Sequence, residues 1–423
     1  MNASSASALP ETHPIEGGVC AAAGFSAAGV HAGFRADPDR LDFALIAADE
    51  PAAAAGVFTT NRFCAAPVTV SRAHLGAGAG FGTARAVAVN SGNANAATGA
   101  PGLDVAEQTC AIVARALDCE PDQVLVASTG VIGIPLSAQP FETGAPLATG
   151  LLSKEGGANA AHAIMTTDTH PKQCALSYVS RAEGTLGRTF TVGGMCKGAG
   201  MIMPNMATMI AVITTDAPVA PVALHAALLA GANASFNKVT VDSDTSTNDT
   251  CIALASGAAG AGAAPIEEGT PAYDEFAAVL AKVCENLARQ IAADGEGASK
   301  LITVHVKGAA SEADADTAAR SVANSPLVKT AVAGHDCNWG RIAAALGKCG
   351  AEFSQENVGI DIMGLPVCRD GLTVPFDEDE ALRRFEKPEI VIEADLGAGD
   401  FETTVWTCDL THGYVSINGD YRS

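Results

Sequence analysis

The chain has 423 residues, 48% hydrophobic but only 5% aromatic and 17% charged, which fits a globular protein of two or so domains packed with Ala, Val, Leu and Ile and excludes the disordered, collagen-like and coiled-coil classes. With 25 Lys and Arg against 47 Asp and Glu the formal charge is −22, a field that repels phosphate backbones and anionic membrane surfaces, so neither nucleic acid nor a membrane is an expected partner. The first residues show neither the basic start nor the apolar run of a secretory signal, no long uninterrupted apolar stretch follows, and twelve cysteines lie scattered without a Cys-x-x-Cys pair, so a reducing, cytoplasmic setting without a zinc site is expected.

Residues 41–46 (LDFALI) and 56–60 (GVFTT) predict two short strands, and a further strand is expected before Asn90. Apolar positions from Val105 to Leu117 fall at helical spacing, with Asp104 placed to cap the start. A strand over 123–127 then runs into a Ser128-Thr129-Gly130 turn. Turn formers over 140–157 predict a surface connection, and 184–188 a loop tip. Phe276, Val279, Leu280, Val283, Leu287 and Ile291 share one face of a helix over 274–292. A strand over 301–306 follows, then a helix opened by Ser311 with Asp314 three residues on, another over 339–346, and strands over 389–393 and 403–407. The Gly/Ala tract 257–264 predicts a flexible loop. Strands and helices interleave without a repeat, so a layered α/β or α+β architecture is expected.

No Walker loop, no strand–GxGxxG–helix unit, no Gly-x-Ser-x-Gly elbow and no His-Glu-x-x-His occurs. The run from Asp242 to Asp249 superficially resembles a calcium loop, yet it lacks Gly at position six and Glu at position twelve. Hydrogen-bonding roles for Asp242, Asp244, Asp249, Thr245, Ser246 and Thr247 are expected instead, with no metal and no cofactor.

The stretch from Lys197 to Asp216 is dense in Gly, Met and Thr and predicts a glycine-rich loop entering a buried strand. Thr208 has no neighbouring His to activate it. A backbone break between Ala207 and Thr208 would supply the missing base, because the freed α-amino group has a pKa of about 8 and stands beside the hydroxyl. That is the logic of an N-terminal nucleophile, set against a plain loop before a core strand in which Thr208 serves β-propensity.

Here the chain resembles, over nearly its full length, the bifunctional ornithine acetyltransferase family, the glutamate N-acetyltransferases of arginine biosynthesis. The resemblance rests on ordered motifs: Asn90-Ser-Gly-Asn-Ala-Asn95, Ala127-Ser-Thr-Gly-Val-Ile-Gly133, Met165-Thr-Thr-Asp-Thr169, Thr191-Val-Gly-Gly-Met195, the segment around Thr208, Thr240-Val-Asp-Ser-Asp-Thr-Ser-Thr-Asn-Asp249, Asp294-Gly-Glu-Gly-Ala-Ser-Lys300, Asn338-Trp-Gly-Arg341 and Asn418-Gly-Asp-Tyr-Arg-Ser423. Departures are mild: Ser243 where Gly is usual, Cys337 where Pro is usual, and Ala97 where Cys is common.

The resemblance implies an α+β fold of stacked mixed sheets flanked by helices, like that of the self-processing DmpA-like proteins. It implies cleavage between Ala207 and Thr208 into chains 1–207 and 208–423, assembled as a heterotetramer with two copies of each. Thr208 would carry acetyl from N-acetylornithine to glutamate in a ping-pong course, with Thr129 and Gly130 as the oxyanion hole. Thr166 or Thr167, Lys197, Thr208, Glu296, Asn418 and Ser423 would hold substrate, which calls for an ordered C-terminus. Family members differ in whether acetyl-CoA is a second donor, which would add N-acetylglutamate synthesis. Two other readings stand beside this one: an N-terminal-nucleophile amidase or aminopeptidase that passes the acyl group to water, and a non-catalytic amino-acid-binding protein that stays a single chain.

Overall fold

The computed structural model describes residues 10–76, 78–203 and 209–420. The first part of the chain runs β1 (Thr12–Pro14), β2 (Phe25–Val30), β3 (Phe43–Phe58), α1 (Ala66–His74), β4 (Phe81–Asn93), α2 (Gly99–Leu117), β5 (Val124–Val131), α3 (Gln139–Gly150), α4 (Gly157–Ala163), β6 (Lys172–Val179), β7 (Thr189–Lys197), β8 (Ile210–Thr215), α5 (Pro221–Ala234), β9 (Thr250–Ala255) and α6 (Pro271–Ala293). Then come β10 (Leu301–Ala309), α7 (Glu312–Ala323), α8 (Pro326–Ala333), α9 (Trp339–Gly347), β11 (Gly359–Ile362), β12 (Leu365–Arg369), β13 (Leu372–Thr373), α10 (Glu378–Arg384), β14 (Glu389–Asp395), β15 (Phe401–Cys408) and α11 (His412–Asp420).

Among the described residues the first nine strands form one sheet, ordered β1-β6-β7-β8-β9-β3-β4-β5 with β2 also on β3, and the last six form a second, ordered β13-β12-β11-β14-β10-β15. Both are mixed: β8 runs parallel to β9, β4 to β5 and β10 to β14, while the other pairs are antiparallel. The α+β architecture of mixed sheets flanked by helices is thus the one expected.

Alternation along the strands distributes the core. On β8, Ile210 and Val212 share a cluster with Ile46, Val87 and Leu125 and with Ala160 and Ala163 of α4. Ala211 and Ile213 turn to the other face, beneath α5 and α6. At the β3–β5 end that other face is covered by α1, α2 and α3. The predicted apolar face of α6 is buried as expected, each of its large side chains contributing about 1.5–3 kcal/mol. Thr270 caps this helix by accepting the Tyr273 N–H, and Ser311 caps α7 by accepting the Asp314 N–H.

The structure corrects four expectations. The two strands predicted over 41–46 and 56–60 belong to the single 16-residue β3. The turn-like Asp49-Glu50-Pro51 is absorbed by an irregularity between Ala47 and Ala52, where a proline needs no ladder donor. Helix α2 begins at Gly99 rather than Asp104, because Thr98 donates to Asn95 Oδ1 at 2.8 Å and Asn95 Nδ2 to the Gly102 carbonyl at 2.9 Å, which fixes an earlier entry. Residues 140–157 are mostly helix: Pro140 sits in the first turn of α3, and Phe141 packs its ring 4.6 Å from Phe34 and 5.8 Å from Phe43. Ser128, Thr129 and Gly130 continue β5 instead of turning, held by parallel pairing with β4.

Around the second sheet, α7, α8 and α9 close a separate core. The two parts are joined by polar contacts, buried at Lys329 and part-buried at Arg289. Lys329 Nζ donates to the Val241 carbonyl and, at 3.0 Å, to Thr407 Oγ1, while Arg289 pairs with both oxygens of Glu389 at 2.8 and 3.0 Å. No helix among the described residues is long and apolar enough to cross a membrane.

Candidate active site

Parallel pairing places Ser91 beside Thr129 and Gly92 beside Gly130 at the end of β5. Gly130 has φ 132°, and a Cβ there would lie 2.3 Å from the Gly92 carbonyl carbon, so no other residue fits without moving a strand. The peptide leading into Thr129 is tied down on two sides. Ser128 Oγ donates to Asn90 Oδ1 at 2.6 Å, and the Ser128 carbonyl accepts from Asn248 Nδ2 at 2.8 Å. Thr129 itself is 5% exposed.

Lys197, the last residue of β7, is 3% exposed, and its ammonium stands 4.0 Å from Asp168 Oδ2. Asp168 is saturated by other donors: Lys172 Nζ and the Gly198 N–H, each 2.7 Å from Oδ1, and the Thr166 N–H, 2.9 Å from Oδ2. Lys172, fully buried, also bonds Asp294 Oδ2 at 2.5 Å, and Asp294 accepts from both the N–H and the hydroxyl of Thr169. Burial alone would raise the Asp168 carboxyl, yet Lys197, Lys172 and the Gly198 N–H outweigh it and hold the group below the usual carboxylate range. Lys172 is raised, because its two carboxylate partners overcome its burial. Lys197 is lowered, by burial first and then by the like charge of Lys172, against the pull of Asp168, Glu296 and Asp249.

Glu296 projects from the turn between α6 and β10 and is 8% exposed. Its position depends on close backbone approach: a Cβ on Gly200 would meet the Glu296 carboxyl carbon at 2.4 Å, and one on Gly297 would meet the Tyr414 nitrogen at 2.4 Å. The second contact lets α11 reach the site, where Thr411 Oγ1 donates to the Gly297 carbonyl at 2.6 Å and Asn418 Nδ2 to Glu296 Oε2 at 2.7 Å. The chain is helical over His412–Asp420.

These segments enclose a cavity of about 150 Å³ lined by Thr129, Gly130, Thr166, Thr167, Lys197, Glu296 and Asn418. Seven residues singled out in the sequence thus meet at one place. The space is well below that of drug-sized pockets. Ala207, Thr208 and Ser423 lie outside the described residues. The described residue next to Thr208 is Met209, whose N–H donates to Asp249 Oδ1 at 3.1 Å, while Asp242 takes the N–H groups of Met201 (2.6 Å) and Ile202 (2.9 Å) on the other side. Burial pushes the Asp249 carboxyl well above the usual range, only partly offset by the Met209 N–H, Lys197 and the nearby Thr59 and Ser246 hydroxyls.

Sequence reasoning missed Gly200, Met201 and Asn248 as lining residues, and it missed the Asp168–Lys172–Asp294 cluster behind Lys197. Asp168 and Lys172, four apart, carry no signal that separates a buried pair from a solvated one. Among the described residues no three His, Cys, Asp or Glu side chains are placed to hold a metal ion.

A model of the ArgJ family matches residues 26–423. The arginine biosynthesis bifunctional protein ArgJ of Symbiobacterium thermophilum is 50% identical over 410 residues, which cover 97% of this chain and 99% of that protein. The protein of the same name from Thermosynechococcus vestitus is 46% identical over 424 residues, again 97% of this chain and 99% of its own length. Among solved structures, a chain of the arginine biosynthesis bifunctional protein of Bacillus halodurans is 41% identical, with a TM-score of 0.47, and the match covers 49% of this chain and 97% of that one.

Proposed function

The chain belongs to the ArgJ family, and from that membership we propose that this enzyme of arginine biosynthesis moves the acetyl group of N-acetylornithine to glutamate through an acetyl ester on Thr208. The observation that carries the reading is the cavity that gathers Thr129 and Gly130 with Lys197, Glu296 and Asn418.

The residues divide the work by chemistry. The Thr208 hydroxyl attacks the acetyl carbonyl, and the negative charge that develops on oxygen is met by the Thr129 hydroxyl and the Gly130 N–H. Collapse breaks the C–N bond, the α-amine of ornithine leaves with a proton, and the acetyl ester remains. The amino group of glutamate then attacks the ester and restores the hydroxyl. Lys197 supplies the positive charge for an α-carboxylate, with Thr166 or Thr167 donating beside it. Glu296, oriented by Asn418, faces the side-chain ammonium of ornithine, and Ser423 completes the contact set. Self-cleavage between Ala207 and Thr208 frees the amino group that serves as base, giving chains 1–207 and 208–423 that stay together as two copies of each in the cytoplasm.

Denaturing intact-mass analysis with N-terminal sequencing tests the proposal. Wild type should give two chains of about 21 and 22 kDa, with Thr208 leading one, and Thr208→Ala a single chain of 42.5 kDa. The matured enzyme should turn N-acetylornithine and glutamate into ornithine and N-acetylglutamate without free acetate. An intact, inactive wild type would overturn the assignment, and free acetate would point to an amidase. Replacing N-acetylornithine by acetyl-CoA tests the second donor.

A further inference from the structure

Four hydrogen bonds close a ring behind the cavity. Asp168 Oδ1 accepts the Gly198 N–H and Lys172 Nζ, each at 2.7 Å, and Lys172 Nζ reaches on to Asp294 Oδ2 at 2.5 Å. The Glu296 N–H then donates to the Ala199 carbonyl at 2.8 Å. Short pieces of chain, 168–172, 294–296 and 198–199, complete the circuit between these bonds. Thr169 adds a further tie across it, donating its N–H at 3.1 Å and its hydroxyl to Asp294.

The two charged ends of the cavity are both mounted on this ring. At one end stand Thr166, whose N–H is on Asp168 Oδ2 at 2.9 Å, and Lys197, the residue before Gly198. At the other stands Glu296, two residues beyond Asp294. Thr166, Lys197 and Glu296 line the cavity, whereas Lys172 and Asp294 do not, so these two act on a bound molecule only through the residues they hold. The ring has firm supports: Lys172 opens β6, which pairs with β7 along its length, and Asp294 closes the 23-residue α6 with its N–H on the Gln290 carbonyl at 3.1 Å.

We propose that Lys172 and Asp294 are positioning residues that fix the span between the carboxylate end of the cavity, at Thr166 and Lys197, and its ammonium end, at Glu296, and so select a diamino acid of the length of ornithine. The inference rests on the substrate assignment made above. A diamino acid carries its two charges at a separation set by its methylenes, and one methylene more or fewer moves the ammonium by about one C–C bond. Two binding groups held at a fixed span reward only the matching length, because a longer or shorter molecule must leave one charge-assisted hydrogen bond poorly made. Groups free to move apart or together would accept all lengths alike.

Isothermal titration of the full-length protein with ornithine, lysine and 2,4-diaminobutyrate tests the inference, because a ratio of dissociation constants does not depend on the folded fraction. Wild type should bind ornithine at least about tenfold more tightly than either neighbour in length. Asp294→Ala removes the Lys172 and Thr169 ties together while leaving Lys172 paired with Asp168, and should bring the three ligands to within about threefold of one another. Asp294→Asn keeps an oxygen for Lys172 Nζ and an amide that donates to Thr169 Oγ1, and should retain a preference of at least about fivefold. Where Asp294→Ala does not fold, Lys172→Met takes its place with the same expectation. A wild type that binds the three ligands equally would overturn the inference, as would variants that weaken all three by the same factor and keep the wild-type ratios. A wild type that binds none of them would overturn the substrate assignment itself.

Discussion

Lys197 and Asp168 stand 4.0 Å apart, nitrogen to oxygen, where charge acts without a hydrogen bond. The nearer donors of Lys172, Gly198 and Thr166 occupy the carboxylate, so Asp168 stabilises the charge on Lys197 without turning its head group away from the cavity. Burial is the largest influence on Lys197 and lowers it, and Asp168 is the largest opposing one. Asp168→Asn removes that opposition, so Lys197 should lose its proton at lower pH. The expected outcome is a KM for N-acetylornithine that begins to rise at lower pH than in wild type; KM profiles that superimpose across the alkaline range would show that Asp168 does not act through Lys197.

The same cluster predicts a stability effect of definite sign. Asp168 is held below its unfolded value, so its contribution is present above about pH 4 and is lost as pH falls through the folded value. Lys172 is raised, so its contribution is present below about pH 10 and is lost as pH rises through its folded value. Lys172→Met removes the lysine that bridges two buried carboxylates, leaving Asp168 only the more distant Lys197, and should cost about 3–5 kcal/mol on the plateau between these limits. The gap between variant and wild type in urea unfolding should narrow at the acid end, where Asp168 is protonated. A gap independent of pH would mean that lost packing, not charge, is responsible.

On the proposed mechanism Thr129→Ala removes one oxyanion donor and should lower kcat by about 10²- to 10³-fold with KM little changed. Gly130→Ala is harsher for a different reason: its Cβ would sit 2.3 Å from Gly92 at a φ of 132°. The β4–β5 ladder must shift to admit it, and loss of activity should come with a lowered thermal midpoint. A Gly130→Ala protein with wild-type stability would contradict the described backbone.

Asn418 separates binding from folding. It lies at the exposed end of α11 yet holds Glu296 Oε2 at 2.7 Å. Asn418→Ala should raise KM for N-acetylornithine by about tenfold, the worth of a hydrogen bond to a charged group, while stability changes by less than about 0.5 kcal/mol. Equal KM in variant and wild type would remove Asn418 from the orientation of Glu296.

Much of this site was legible through the family resemblance carried by short ordered motifs, those around Thr129-Gly130, Glu296 and Asn418, whereas composition alone favoured a turn, a charged loop tip and a fraying terminus. What stayed hidden depends on partners distant in sequence. Asn248 gains its meaning from the carbonyls of Ser128 and Ala94, and Lys172 from Asp294, 122 residues on. The helical periodicity of α6 and the Ser311 cap carried over almost unchanged, since both are local. Residues 49–51 look like a turn and are a strand irregularity, and 140–157 look like a loop and are largely helix, because tertiary packing of Phe141 and sheet pairing of β3 override local preference.

Ser243 offers a last test on the loop that Asp242 anchors. Its φ is 71°, the left-handed region, in a turn where the Asp244 N–H reaches back to Asp242 Oδ1 at 3.3 Å. Asp242 in turn holds the Met201 and Ile202 N–H groups, so the turn fixes the chain just before residue 203. A non-glycine residue in this conformation costs about 1–2 kcal/mol, while glycine returns up to about 1 kcal/mol of chain entropy to the unfolded state. Ser243→Gly should therefore stabilise the protein by about 0.5–1 kcal/mol with kcat unchanged, and Ser243→Val, branched at Cβ, should destabilise it by more than that. Urea unfolding of the two variants checks both signs. A destabilised Ser243→Gly would mean that the serine hydroxyl contributes more than the backbone strain it accompanies.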